Sequence, residues 1–572
     1  MLLGPRVLAA QAAWSEVCPR PAQGTEIPEP DDLRARDGVL SVDLTFRNFR
    51  DASGRVRYCY ISGSGAISPN LRIHPGDLLI LRLKNDLGLP DGSNSAAAQL
   101  HAHASQPRNS VDPCKGGKMT ATTTNLHFHG LAIPSACHQD EVLKTTIEPG
   151  APPFEYRIRV PADQPPGLYW YHPHMHGFTR DQVLGGASGA LIVEGIESAD
   201  HQVAGLPERV LVIRDEDLLH PNAASNAPSG IVPPPVVLDR DGDAQNTGTG
   251  TGKPAKDLSL NFVSAPYPDY PPAIIKMKPE KKEFWRVVNA TSITYLNLQI
   301  LFKNLPQQVG IVAVDGVPIN RNGLGGGDVI YQDHLGVSPG GRVEFIVNGP
   351  AQGTPATLIT RSVNTGPGGE NDPTRPIAII VAATDAPEPR STLAAVPAQS
   401  PPVDLPWIGK IQPVRTRKLY FSEKLQDPND PNSPTTFYLT VEGQTPKPFD
   451  PSSTIPNIIV HQGDVEDWIV ENRSTEIHDF HIHQIHFLLL EWFGIPINEP
   501  FLRDTINVPF WDGKSSQFPT VRLRMDFRAA NVVGTFPYHC HLLEHEDGGM
   551  MGLIRVEPKL KQQSSQPKPS AP

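Results

Sequence analysis

The sequence predicts an all-β chain built from three consecutive β-sandwich or barrel domains. Three observations carry that prediction. At 572 residues the chain is too long for one domain and suits three of ordinary size. Pro (61) and Gly (48) abound, helix-periodic runs are scarce, and short strand-like runs end in turn residues. One pattern also occurs three times: Pro75-Gly-Asp-Leu-Leu-Ile-Leu-Arg-Leu-Lys-Asn85, Pro279-Glu-Lys-Lys-Glu-Phe-Trp-Arg-Val-Val-Asn289 and Gln462-Gly-Asp-Val-Glu-Asp-Trp-Ile-Val-Glu-Asn472. Each copy reads as a turn feeding a strand that ends in Asn.

Composition sets the boundaries. Residues 1–38 read as an irregular arm, 39–196 as the first domain, 205–384 as the second and 407–558 as the third. A Pro/Ala/Ser linker covers 385–406, and the Lys/Gln/Ser/Pro tail 559–572 is expected to be disordered. Long loops are expected over 92–124 and 221–256. The net charge of −11 gives no reason to expect nucleic acid. No run of 18 apolar residues occurs, so no membrane span is expected.

Four histidine clusters carry the chemistry. They are His127-Phe-His129-Gly130, His172-Pro-His174, His478-Asp-Phe-His481-Ile-His483 and His539-Cys540-His541, the last followed by His545 and Met550. Successive strand side chains point to opposite faces. One face then offers His127, His129, His172, His174, His481, His483, His539 and His541. The other offers Cys540, His478 and His545, with Met550 nearby. Two imidazoles, a thiolate and a weak axial Met form the ligand set of a blue electron-transfer copper. Read alone, the last cluster also fits a buried free Cys among core histidines. Eight imidazoles exceed the four ligands of a structural zinc and suit three metals with open positions. A second repeat pairs Gly167–His174 with Gly534–His541 and puts Pro173 in the place of Cys540. The middle copy lacks an HxH and is expected to be a spacer, with the first and third domains adjacent in space.

The four clusters, in order and spacing, resemble the copper motifs of the laccase-like, three-domain multicopper oxidases across almost the whole chain. The resemblance implies cupredoxin-like Greek-key domains and four copper ions. It implies a type 1 copper at Cys540, His478 and His545 with Met550 axial, and a type 2 copper at His127 and His481. A type 3 pair would take His129, His172, His174, His483, His539 and His541. It further implies one-electron oxidation of a small reducing substrate coupled to reduction of O2 to water, in a monomer. Asp140 and Glu546 match the family's carboxylate positions, for proton delivery or for orienting ligand imidazoles. His176 and His486 are expected behind the ligands, and His101 and His103 in a solvated loop. Met550 rather than Met551 is the expected axial ligand, giving a low-to-middle potential.

Taking Cys540 as a ligand leaves four cysteines, which suggests the disulfides Cys114–Cys137 and Cys18–Cys59 in an oxidising compartment. The count leaves connectivity open, and four free thiols remain the alternative. Met1–Trp14 reads as a poor or truncated secretion signal. An extracytoplasmic location therefore rests on the cysteines and the resemblance. With only seven Met residues, the chain lacks the thioether-rich insert of a dedicated cuprous oxidase. Phenols and aromatic amines are the expected substrates, with Cu(I)/Mn(II) or bilirubin-type oxidation as alternatives. A copper-binding resistance protein is the non-enzyme alternative.

Overall fold

The computed structural model describes residues 18–88, 112–222, 248, 250–319, 329–395, 405–427 and 433–559. The expected HxH at His101–His103, most of both long loops, the linker centre and the tail after Lys559 lie outside these residues. Among the described residues the chain forms six sheets in three pairs, each pair closing around its own apolar core. The all-β expectation holds. Alternation builds the outer strands: along Val39–Arg50, Leu40, Val42, Leu44 and Phe46 are buried, while Ser41 and Asp43 face water.

The threefold repeat has a structural meaning. Leu78–Asn85 runs parallel to Val39–Arg50 and antiparallel to Phe154–Arg159. Lys282–Asn289 sits in the same way between Pro207–Glu216 and Arg342–Asn348. Val465–Asn472 does so between Arg415–Leu425 and Thr520–Asp526. The closing Asn is fully buried in each copy. Its amide donates to two main-chain carbonyls: Thr122 and Ile147 for Asn85, Thr294 and Val337 for Asn289, Glu476 and Val508 for Asn472. Each Asn thus satisfies loop carbonyls that would otherwise be buried unpaired. Asn289 and Asn472 also head Asn-x-Ser/Thr sequons, and their burial closes both to glycan attachment.

The histidine strands occupy the other sheet of the first and third pairs, in the same order. Gly167–His172 lies between His127–His129 and Gly189–Val193, and Gly534–Cys540 between His478–Ile482 and Met551–Glu557. The arm departs from expectation. Asp32–Arg34 is a strand parallel to Asn70–Ile73, and Glu26 bridges to Ile274. Both expected disulfides, Cys18–Cys59 and Cys114–Cys137, form.

The first two sheet pairs meet through Leu168, Trp170, Ala190 and Ile192 against Val210, Val212, Val288 and Ala290. A buried ion network rims this patch. Arg72 reaches Glu208 at 2.9 Å and Asp32 at 2.8 Å, Arg286 pairs with both Glu208 and Glu344, and Glu344 accepts from the Leu168 amide at 2.8 Å. Burial alone would raise the Glu208 carboxyl, but Arg286 and then Arg72 hold it down at about 2, against an ordinary value of 4.5. A carboxyl with a depressed folded-state pKa gives stability that is complete above its unfolded value and lost as pH falls through the folded one. Glu208→Gln should therefore cost about 3–5 kcal/mol near neutral pH, as for other broken buried pairs. It should also flatten the loss of stability between pH 4.5 and 2, as read by urea unfolding across that range.

Candidate metal centres

The sulfur centre is built from two adjacent strands and the turn after them. His478 Nδ1 and His545 Nδ1 face each other at 3.1 Å, and the Cys540 sulfur lies 3.7 and 3.8 Å from them. The outer nitrogens are tied off: His478 Nε2 meets the Ser474 hydroxyl at 2.6 Å, and His545 Nε2 lies 3.3 Å from Glu476 Oε1. The Asp479 amide donates to the sulfur at 3.4 Å. Burial pushes the Cys540 thiol well above its ordinary value. A thiolate here therefore needs a cation among the three atoms. Register separates the two methionines. Met551 pairs with His539 and so shares its face, whereas the Cys540 amide donates to the Met550 carbonyl at 3.0 Å and both side chains enter one core cluster.

On the opposite face eight imidazoles close into one pocket. His127 and His129 come from one strand of the first domain, with His172 and His174 beside them, and His481, His483, His539 and His541 come from the third. The strands end inside the motifs, at His172, Ile482 and Cys540, yet the rings beyond them still turn inward. The two sets stack as mirror pairs: His127 on His483 at 3.9 Å and His129 on His481 at 4.0 Å between centroids. Ligand nitrogens gather in threes. His129, His172 and His541 form one set, and His174, His483 and His539 another, while His127 and His481 converge beside His129. All eight rings are buried. Burial, and then the charge neighbouring rings would carry, hold them well below the imidazole range, with His172 at about 3 and His539 at about 4. They are neutral, the form that binds metal.

Hydrogen bonds aim the lone pairs. His172 Nδ1 donates to the Pro173 carbonyl at 2.9 Å, His539 Nδ1 to Cys540 at 2.9 Å and His481 Nδ1 to Asp504 at 2.8 Å. His127 Nδ1 faces both Asp140 oxygens at 3.0 Å. The Nε2 atoms of His127, His172 and His481 are then buried without a protein partner. Buried acceptors in that state carry a cost unless a cation takes them.

Residues 117–198 and 427–560, which carry all four clusters, each match a multicopper oxidase family model. The chain belongs to the multicopper oxidases. Among its relatives, the multicopper oxidase mco of Staphylococcus haemolyticus is 23% identical over 442 residues, 76% of either chain. The laccase of Bacillus subtilis is 22% identical over 452 residues, 75% of this chain and 78% of that one. Among solved structures, a Campylobacter jejuni multicopper oxidase described as a metallo-oxidase superposes with a TM-score of 0.61 at 23% identity, over 94% of this chain and 96% of that one. McoA of Aquifex aeolicus gives 0.61 at 18% identity, over 93% and 99%. Membership in the multicopper oxidases implies copper binding and copper-dependent oxidoreductase activity. The donors fit: four convergent groups of neutral imidazole and thiol suit copper.

Both expected carboxyls border the pocket. Asp140 accepts from the Phe128 amide at 3.0 Å and from Gln484 Nε2 at 2.7 Å, and burial raises it to about 8. Glu546, fully buried and likewise raised to about 8 by burial, lies 3.9 Å from His174 Nδ1 and 3.8 Å from His176 Nδ1. His486 packs behind, donating to the Asp315 carbonyl at 3.0 Å. Asp504, Asp479 and Glu476 escaped the motif reading because they lie outside the HxH pattern or between its histidines. The middle domain is more than a spacer. Its Gly340, at φ +79°, approaches so closely that a Cβ there would lie 2.8 Å from the His541 ring. Gly340→Ala should therefore displace His541 and lower the copper bound per chain, measured by elemental analysis of protein that melts normally.

Proposed function

We propose that this multicopper oxidase is laccase-like. It would couple one-electron oxidation of phenols and aromatic amines to four-electron reduction of O2 to water, using four copper ions. One observation carries the reading: Cys540 is peptide-bonded to His539, in one nitrogen triad, and to His541, in the other. Two consecutive peptide bonds thus join the sulfur centre to both halves of the pocket. In this reading His478, Cys540 and His545 hold the type 1 copper with Met550 axial, and His127 and His481 the type 2. The triads His129/His172/His541 and His174/His483/His539 hold the type 3 pair. When bound, copper supplies one-electron redox chemistry and a place for O2.

The chain's own residues do the rest. Ser474 caps His478, which is fully buried, whereas His545 keeps 7% exposure beside Glu476, so the outer edge of His545 is the port for the reductant. Phe437 stacks on His545 at 4.3 Å and fixes the plane of that edge. Asp140 and Glu546, both raised to about 8, hold a proton near neutral pH and release it within the range where proton transfer is efficient. Glu546 does so from Oε1, beside His174 and His176. Two disulfides support an extracytoplasmic site of action.

A second reading, oxidation of metal cations, is favoured by the carboxyls at the same port. Glu476 meets His545 at 3.3 Å and hydrogen-bonds Glu423. The metallo-oxidase among the structural relatives points the same way. Copper-loaded protein should be blue and consume O2 with a phenolic dye. A blue protein that consumes O2 only with Cu(I) or Mn(II) would favour the second reading, and colour without O2 uptake would reject both. Met550→Leu should raise the type 1 potential in a redox titration, while Met551→Leu, on the other face, should leave it in place.

A further inference from the structure

Arg342 stands at the meeting of all three domains. It opens the middle-domain strand Arg342–Asn348, and its side chain is fully buried. A guanidinium has five N–H donors, and here every one is used. Nε donates to the Leu168 carbonyl of the first domain at 3.3 Å. Nη1 and Nη2 donate to the Gly340 and Asp315 carbonyls at 3.0 and 2.9 Å. The same two nitrogens fork onto Asp504 of the third domain at 2.7 and 2.6 Å. Gly130, at φ +87°, leaves room for this pair; a Cβ there would fall 2.5 Å from Nη2 and 2.7 Å from Asp504 Oδ2.

Asp504 in turn holds two pocket rings in opposite tautomers, assigned from their partners. Its carboxylate and the Thr505 hydroxyl face His129 Nε2 at 3.3 and 3.4 Å, leaving Nδ1 free. Its main-chain carbonyl takes the His481 Nδ1 proton at 2.8 Å, leaving Nε2 free. The rings stack 16° from parallel, and each keeps its free nitrogen only while these tautomers hold.

We propose that Arg342 is a positioning residue for the three-metal pocket: by locking Asp504 in a two-pronged pair, the middle domain sets which nitrogen of His129 and of His481 faces the metals. The proposal rests on the copper assignment above. It is tested on the copper-loaded full chain with Arg342→Gln, Arg342→Lys and Asp504→Asn. Arg342→Gln and Asp504→Asn should keep the blue type 1 absorption and the rate at which a phenolic dye bleaches it. Both should weaken the type 2 electron paramagnetic resonance signal and cut O2 uptake by roughly 10- to 100-fold, the usual cost of losing an outer partner of a metal ligand. Arg342→Lys keeps the charge but loses the fork, so it should restore only part. Blue, fully copper-loaded Arg342→Gln with an unchanged type 2 signal would overturn the proposal. Should that variant fail to fold, the same result in Asp504→Asn would overturn it. Wild-type protein without a type 2 signal would instead reject the copper assignment itself.

Discussion

Keeping eight imidazoles uncharged, out of water and aimed at one small volume is the constraint on which this molecule turns. A neutral ring has one donor and one acceptor nitrogen, and a buried pocket must occupy the donor elsewhere before the acceptor is available. Carbonyls at Pro173, Cys540 and Asp504 and the carboxyl of Asp140 do this from just outside the ring layer. Much of the surrounding architecture serves the same end. The stacked pairs His127/His483 and His129/His481 require two domains to lie face to face. Asp547 reinforces that contact by accepting from the amides of Gly177, Thr179 and Arg180 across the joint.

Much of this was legible in the sequence, because strand parity is a local property. The spacing of His127 and His129, and of His539 and His541, sorted the side chains onto two faces before any fold was known. The threefold Asn-ended pattern marked equivalent strands, since the same buried amide closes the same loop in each sandwich. The two disulfides followed from an even cysteine count, although the pairing did not.

Other features were hidden because they depend on which surfaces meet. Arg342 and Asp504 are far apart in sequence and lie in different domains, so neither carries a periodic signal that ties it to histidine. Gly340 reads as an ordinary turn residue until the His541 ring is placed against it. The middle copy, judged by its lack of an HxH, looked inert, yet it brings a close backbone approach and a buried cation to the pocket. The start of the chain also looked irregular, since Asp32–Arg34 is too short to show alternation and pairs only because Asn70–Ile73 offers an edge.

The mirror stacking of rings from the first and third domains bears on biogenesis. A nascent chain emerges from the ribosome with His127, His129, His172 and His174 long before their stacking partners exist. Domains tend to fold in order of synthesis, so the early half of the pocket waits as an unsatisfied hemisphere while the middle domain is made. Filling of that shared pocket is in that sense a late event, open only to a polypeptide whose last domain has already docked.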